Sequence, residues 1–230
     1  MGNNKDNIKL LPINELVTVL SDIDNELFSR VKNKFPEINE ELNVGIWAGE
    51  SEKLESDRVV LTKAKFASEV LGVAICHSEC ALKVLSRKIH IANRIRLVGQ
   101  IAAVIGSSGT ILAMGFGKDS VAQVSAVLAL LGSISTIIST YTEKVVSTKA
   151  GTISEIYLSL SGQLQEAIFL RNNINAHIQH NSSTVELENL VAMSNELCRK
   201  INTNALQVPK IWHAKPTKAY YKEEYAFAEE

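Results

Sequence analysis

Apolar residues recur at helical spacing along most of this chain. Leu61, Ala64, Ser68, Leu71, Ile75, Ser78, Leu82, Leu85, Ile89 and Ala92 are separated by alternating threes and fours. That step lines one stripe of a long, coiled-coil-like helix. Ile153, Ile156, Leu160, Gln163, Ala167, Leu170 and Ile174 repeat it, as do Leu187, Leu190, Ser194, Leu197 and Ile201. A shorter seam of Ile13, Leu16, Leu20, Ile23, Leu27 and Val31 stops before Pro36. Asn181-Ser182-Ser183-Thr184 provides a loop and a cap ahead of the third long seam. No proline falls within residues 37–208, so the strongest obstacle to helix is missing there. The pattern predicts an all-α fold.

Two stretches depart from the amphipathic rule because they carry no charge at all. Residues 97–117 form a run of 21, and residues 120–142 a run of 23. A hydrocarbon core of about 30 Å needs roughly 20 helical residues, so either run is long enough to cross it. Gly115-Phe116-Gly117-Lys118-Asp119 joins them, and Gly115, Gly117, Lys118 and Asp119 are read as a hairpin turn. The expected architecture is a transmembrane helical hairpin continuous with long cytoplasmic helices.

Small residues recur four apart in both runs, as in Gly99/Ala103, Ala102/Gly106, Gly109/Ala113, Ala122/Ala126 and Ser125/Ala129. In lipid this spacing lets helix backbones approach closely. Gly99, Gly106, Gly109, Ala122, Ser125, Ala126 and Ala129 are therefore the candidate packing positions. Gln100, Gln123, Ser133 and Thr136 are candidates for a polar seam or pore lining. A hairpin buried at the centre of a soluble bundle is the alternative.

Charge sharpens the picture once it is read by block. The net charge of -1, from 24 basic and 25 acidic residues, is a cancellation. Residues 1–57 hold 12 acidic and 6 basic side chains, and residues 58–96 hold 8 basic and 2 acidic. Only Lys118 and Asp119 are charged within residues 97–142. Arg87, Lys88, Arg94 and Arg96 crowd the entry to the first run, where contact with anionic lipid headgroups is expected. Lys144 and Lys149 follow the second run, so the positive-inside rule places both termini in the cytoplasm. Five segments result: an acidic N-terminal helix and loop (1–57), a long basic amphipathic helix (58–96), the two-helix hairpin (97–142), cytoplasmic amphipathic helices (143–208) and a C-terminal tail (209–230).

Candidate chemistry adds little. Three cysteines, Cys76, Cys80 and Cys198, leave one over in any pairing and read as free thiols. Cys76, His77 and Cys80 share a helix but lack a fourth ligand, so core packing is preferred to a metal site. His177 and His180 read as surface histidines. No phosphate-binding loop, nucleophile elbow or paired-carboxylate motif occurs. The chain is expected to be no enzyme, with no cofactor, no metal and no direct contact with nucleic acid. The aromatic tail at residues 219–227 is read as a frayed terminus or a docking segment, and the Gly-flanked Trp47 as a loop or a short docking segment.

A long helix ending in Arg94-Ile95-Arg96, an apolar span, a tiny loop, the Ser/Thr/Gly-rich stretch SVAQVSAVLALLGSISTIISTYT at 120–142 and a following amphipathic helix together resemble the SLATT family. These are bacterial two-transmembrane proteins of nucleotide-signalling (CBASS) and retron defence operons. The resemblance covers roughly residues 60–178. It implies an inner-membrane effector that permeabilises the bilayer on activation, in an abortive response to phage; the small-residue faces and the long first seam add the expectation of a homo-oligomer. The trigger would come through a sensor protein or a reverse transcriptase–nucleic-acid complex. Two other classes fit the residues: a soluble α-helical pore-forming toxin with a concealed hairpin, and an inert membrane-anchored scaffold.

Overall fold

The computed structural model describes residues 11–23, 25–38, 42, 57–116, 119–143, 152–180 and 183–212. Its regular elements are helical. They are α1 (Asn14–Ile23), α2 (Asn25–Lys34), a 3-10 turn (Pro36–Ile38), α3 (Asp57–Gly115), α4 (Asp119–Glu143), α5 (Ile153–Gln179), α6 (Thr184–Gln207) and the short α7 (Pro209–Trp212). The chain divides into two compact units, residues 1–82 with 159–230, and residues 83–158. The division falls within the 59-residue α3, and not at the 96/97 boundary that the charge blocks suggested. The helix passes through without a breaker, and the change is in what surrounds it.

In the first unit α3 is enclosed. Val60, Ala64, Phe66, Ala67 and every residue from Val70 to Ser78 are buried. The heptad stripe predicted one buried seam on this helix; the structure buries nearly its full circumference. Partners on several sides account for this. Phe35, just after α2, packs edge-on against Phe66 with ring centroids 5.8 Å apart. Asn175 of α5 accepts a hydrogen bond from Ser68 at 2.6 Å, and the Arg171 guanidinium lies over Gly72, where a Cβ would meet it at 2.9 Å. The amine of Lys63, itself fully buried, donates to the Leu11 carbonyl at 3.3 Å.

The N-terminal seam is helical over Asn14–Ile23 and Asn25–Lys34, and residue 24 lies outside the described residues. Asn195 of α6 secures α1, accepting from the Glu15 and Leu16 amides at 2.9 and 3.3 Å. Ser183 occupies the N-cap of α6 but makes no side-chain cap bond; Thr184 instead donates to Asp57 at 2.8 Å. Residues 1–10, Trp47 and the tail from residue 213 lie outside the described residues.

The second unit is a different solvent problem. Leu97, Val98, Ile101, Val104, Ile105, Ile111 and Leu112 on α3 are all more than half exposed. Val124, Val127, Leu130, Leu131, Ile137 and Ile138 on α4 are likewise exposed. Between Ala92 and Ser139 what is buried is small: Ala92, Gly99, Gly106, Ala113, Ala122, Gly132 and Ser139. This inverts the usual order, in which large apolar side chains go inside.

Candidate functional site

The feature that stands out in the second unit is the contact between α3 and α4. A Cβ added to Gly106 would lie 2.4 Å from the Ala129 amide nitrogen and 2.5 Å from the Ser125 carbonyl oxygen. One added to Gly132 would lie 2.5 Å from both the Ala103 nitrogen and the Gly99 oxygen. Gly99 faces Gly132, Ser135 and Thr136, and Gly109 faces Ser125. Rising numbers on α3 thus meet falling numbers on α4, so the helices run antiparallel with backbones in direct contact. No side chain larger than hydrogen fits at Gly106 or Gly132 without moving main chain.

Hydroxyl groups in these helices are satisfied locally. Thr110 donates to the Gly106 carbonyl at 2.8 Å, Ser133 to Ala129 at 2.9 Å, Ser135 to Leu131 at 2.9 Å and Thr136 to Gly132 at 3.0 Å. Ser107 donates to Val104 at 3.0 Å. Each returns to a carbonyl about one turn earlier, the arrangement that lets a hydroxyl sit in an apolar medium without a distant partner. Ser139, fully buried, crosses to the other helix and donates to the Ala92 carbonyl at 2.7 Å.

The candidate packing residues separate under this geometry. Gly99, Gly106, Gly109, Ser125 and Ala129 meet at the contact, and Ala122 is buried. Ala126 is exposed and turned away from α3, because its angular position is about 120° from the seam set by Gly132. Gly132 and Ser139 belong to the contact and were not singled out in the sequence. Of the candidate pore residues, Thr136 touches the seam at Gly99, while Gln100, Gln123 and Ser133 are exposed. Gln123 projects from the back of α4, so Gln100 and Gln123 do not share one seam.

The turn is shorter than expected. Gly115 is the last residue of α3, keeps an ordinary negative φ and has open space around it, so no backbone requirement selects glycine there. Asp119 opens α4; Gly117 and Lys118 lie outside the described residues. Arg87, Lys88 and Arg94 are exposed and Arg96 is half-buried. Arg94 and Arg96 are within one turn of Leu97, whereas Arg87 and Lys88 stand roughly 14–15 Å further along the helix axis.

Among the described residues the cysteines and histidines form no centre. No group of three or more metal-ligating side chains is assembled among the described residues. His77 is buried and its Nε2 lies 2.5 Å from the Trp212 carbonyl, with the rings edge-on at 4.5 Å. It ties α7 to α3. Cys76 and Cys198 are buried, and burial, reinforced by the nearby Glu15 charge, pushes the Cys198 thiol far above its ordinary range. Such a thiol is unreactive. His177 stands 3.4 Å from Glu186 at the surface.

Both helices of the pair are long and apolar enough to cross a membrane. Their most apolar 18-residue windows have mean hydropathies of 1.7 in α3 and 2.0 in α4, and only 17% and 11% of those windows is buried. No family model matches the chain, and no curated protein or solved structure matches it significantly.

Proposed function

We propose that the chain is a membrane-inserting effector whose α3–α4 pair crosses the bacterial inner membrane as a helical hairpin. Both termini are cytoplasmic, and activation permeabilises the bilayer. One observation carries the reading: from Leu97 onward in α3 and throughout the described side chains of α4, the large aliphatic side chains face outward while glycine, alanine and serine fill the contact. A soluble core helix buries its apolar window, and here at most 17% of either window is buried. In water so much exposed aliphatic surface is costly, at roughly 25 cal/mol per Å². In hydrocarbon the cost vanishes, and close backbone packing becomes the main source of helix–helix attraction.

Two further features support it. The hydroxyls of Ser107, Thr110, Ser133, Ser135 and Thr136 are bonded within their own helices and that of Ser139 to the other helix, so none of these adds an unmet donor in the bilayer. Arg94 and Arg96 stand where headgroups would be, while Arg87 and Lys88 project into the cytoplasm beyond the headgroup layer, which adds only about 5–8 Å per leaflet. The antiphage role and a trigger delivered through a sensor or a reverse transcriptase complex come from the resemblance to the SLATT family. The test is expression in growing bacteria with a membrane-potential dye. Depolarisation that follows arrival of the chain in the membrane is expected; an unchanged potential under full, membrane-localised expression would sink the proposal.

A further inference from the structure

Which surface of the pair is free to bind something else follows from what the contact consumes. Gly99, Gly106, Ser125, Ala129 and Gly132 are used within one chain, so a second copy cannot dock there. The outer surface has two unlike flanks. Turning about 100° per residue from the seam puts Gln100 and Ser107 of α3 on one flank and Val98 and Ile105 on the opposite one. On α4 the same rotation separates Ala126 and Ser133 from Val124 and Leu131. The helices are antiparallel and equally right-handed, so the Gln100/Ser107 flank and the Ala126/Ser133 flank fall on the same broad side. All eight residues are exposed.

The two sides have different chemistry. Val98, Ile105, Val124 and Leu131, each more than half exposed, lose nothing against lipid tails. On the other side Ser107 and Ser133 are already bonded to their own helices. The Gln100 carboxamide makes no hydrogen bond to another described residue. An unmet carboxamide is expensive in hydrocarbon.

We infer that a second copy of this chain docks on the Gln100/Ser107/Ala126/Ser133 side, in a two-fold arrangement with its axis along the membrane normal. The inference rests on the membrane reading above. Such an axis keeps depth and sets α3 of one copy against α4 of the other. Gly99 lies level with Gly132–Thr136, and Gly106 level with Ser125–Ala129. Gln100 therefore meets the depth of Ser133 in the second copy, and Ser107 that of Ala126. The carboxamide gains a hydroxyl partner, and the small side chains let the backbones close. The partner is this chain because its own flank supplies the matching groups at the matching depth.

Two tagged chains, one with Gln100→Cys and one with Ser133→Cys, are expressed together and oxidised in isolated membranes. The native chain, with Cys76, Cys80 and Cys198, is the background. A mixed dimer is expected from this pair and not from Ile105→Cys with Val127→Cys on the opposite side. Gln100→Leu, an exposed change that leaves the fold intact, should weaken self-association in lipid by roughly 3- to 20-fold, the worth of one interhelical hydrogen bond there. A membrane-bound chain that cross-links equally well through Ile105 and Val127, or through neither pair, overturns the inference and leaves the membrane reading standing. A chain missing from the membrane pellet overturns both.

Discussion

Gly106 and Gly132 decide how closely α3 and α4 can approach. Each would place a Cβ within 2.5 Å of backbone atoms of the other helix, and backbone cannot yield as a flexible side chain can. Gly106→Leu or Gly132→Leu should therefore destabilise the pair by about 1–3 kcal/mol or more. Gly115→Leu, which meets nothing within 4 Å, should be nearly neutral. Denaturant titration of the purified protein in detergent micelles, followed by circular dichroism, measures all three, and an equal effect at Gly115 would refute the packing role. Gly106 was legible from its four-residue spacing to Ala102. Gly132 was not, since its importance depends on the register of the antiparallel contact, and spacing along one helix carries no register. Ser139 escaped notice for the same reason: its acceptor, the Ala92 carbonyl, is 47 positions away in sequence.

At the scale of the element, periodicity found where helices run and misjudged what encloses them. The stripe from Leu61 to Ala92 is correct as a list of inward positions, for all ten are buried or half-buried. It could not reveal that Val70–Ser78 is covered on every side, because Ala, Gly, Ser and Thr residues read as neutral until neighbours pack on them. A cleaner consequence concerns α5. Gly162 sits mid-helix, exposed, with nothing within 4 Å of a Cβ and no left-handed φ. Gly162→Ala should stabilise the protein by about 1 kcal/mol through backbone entropy and helix propensity. Thermal unfolding monitored by circular dichroism reads this as a raised Tm; a lowered Tm would show that α5 is not helical at Gly162 in solution.

At the scale of the molecule, two units obey opposite rules. Residues 1–82 with 159–230 bury large apolar side chains such as Leu71, Leu160, Leu170 and Trp212. Within residues 83–158, the stretch from Ala92 to Ser139 exposes them and buries the small ones. This contrast was legible in the sequence as two charge-free runs flanked by basic residues. Which side of the pair carries the aliphatic residues and which the small polar ones was not legible, since it depends on how α3 and α4 meet.

The central claim is that the α3–α4 pair spans the membrane with its tip outside. Phe116 lies at that tip, 77% exposed, and Phe116→Cys places a thiol there. In intact spheroplasts expressing the protein, a membrane-impermeant maleimide should label Phe116→Cys, while the native chain, whose cysteines the proposal puts on the cytoplasmic side, should stay unlabelled. Labelling of Phe116→Cys only after lysis would contradict a hairpin that crosses the bilayer.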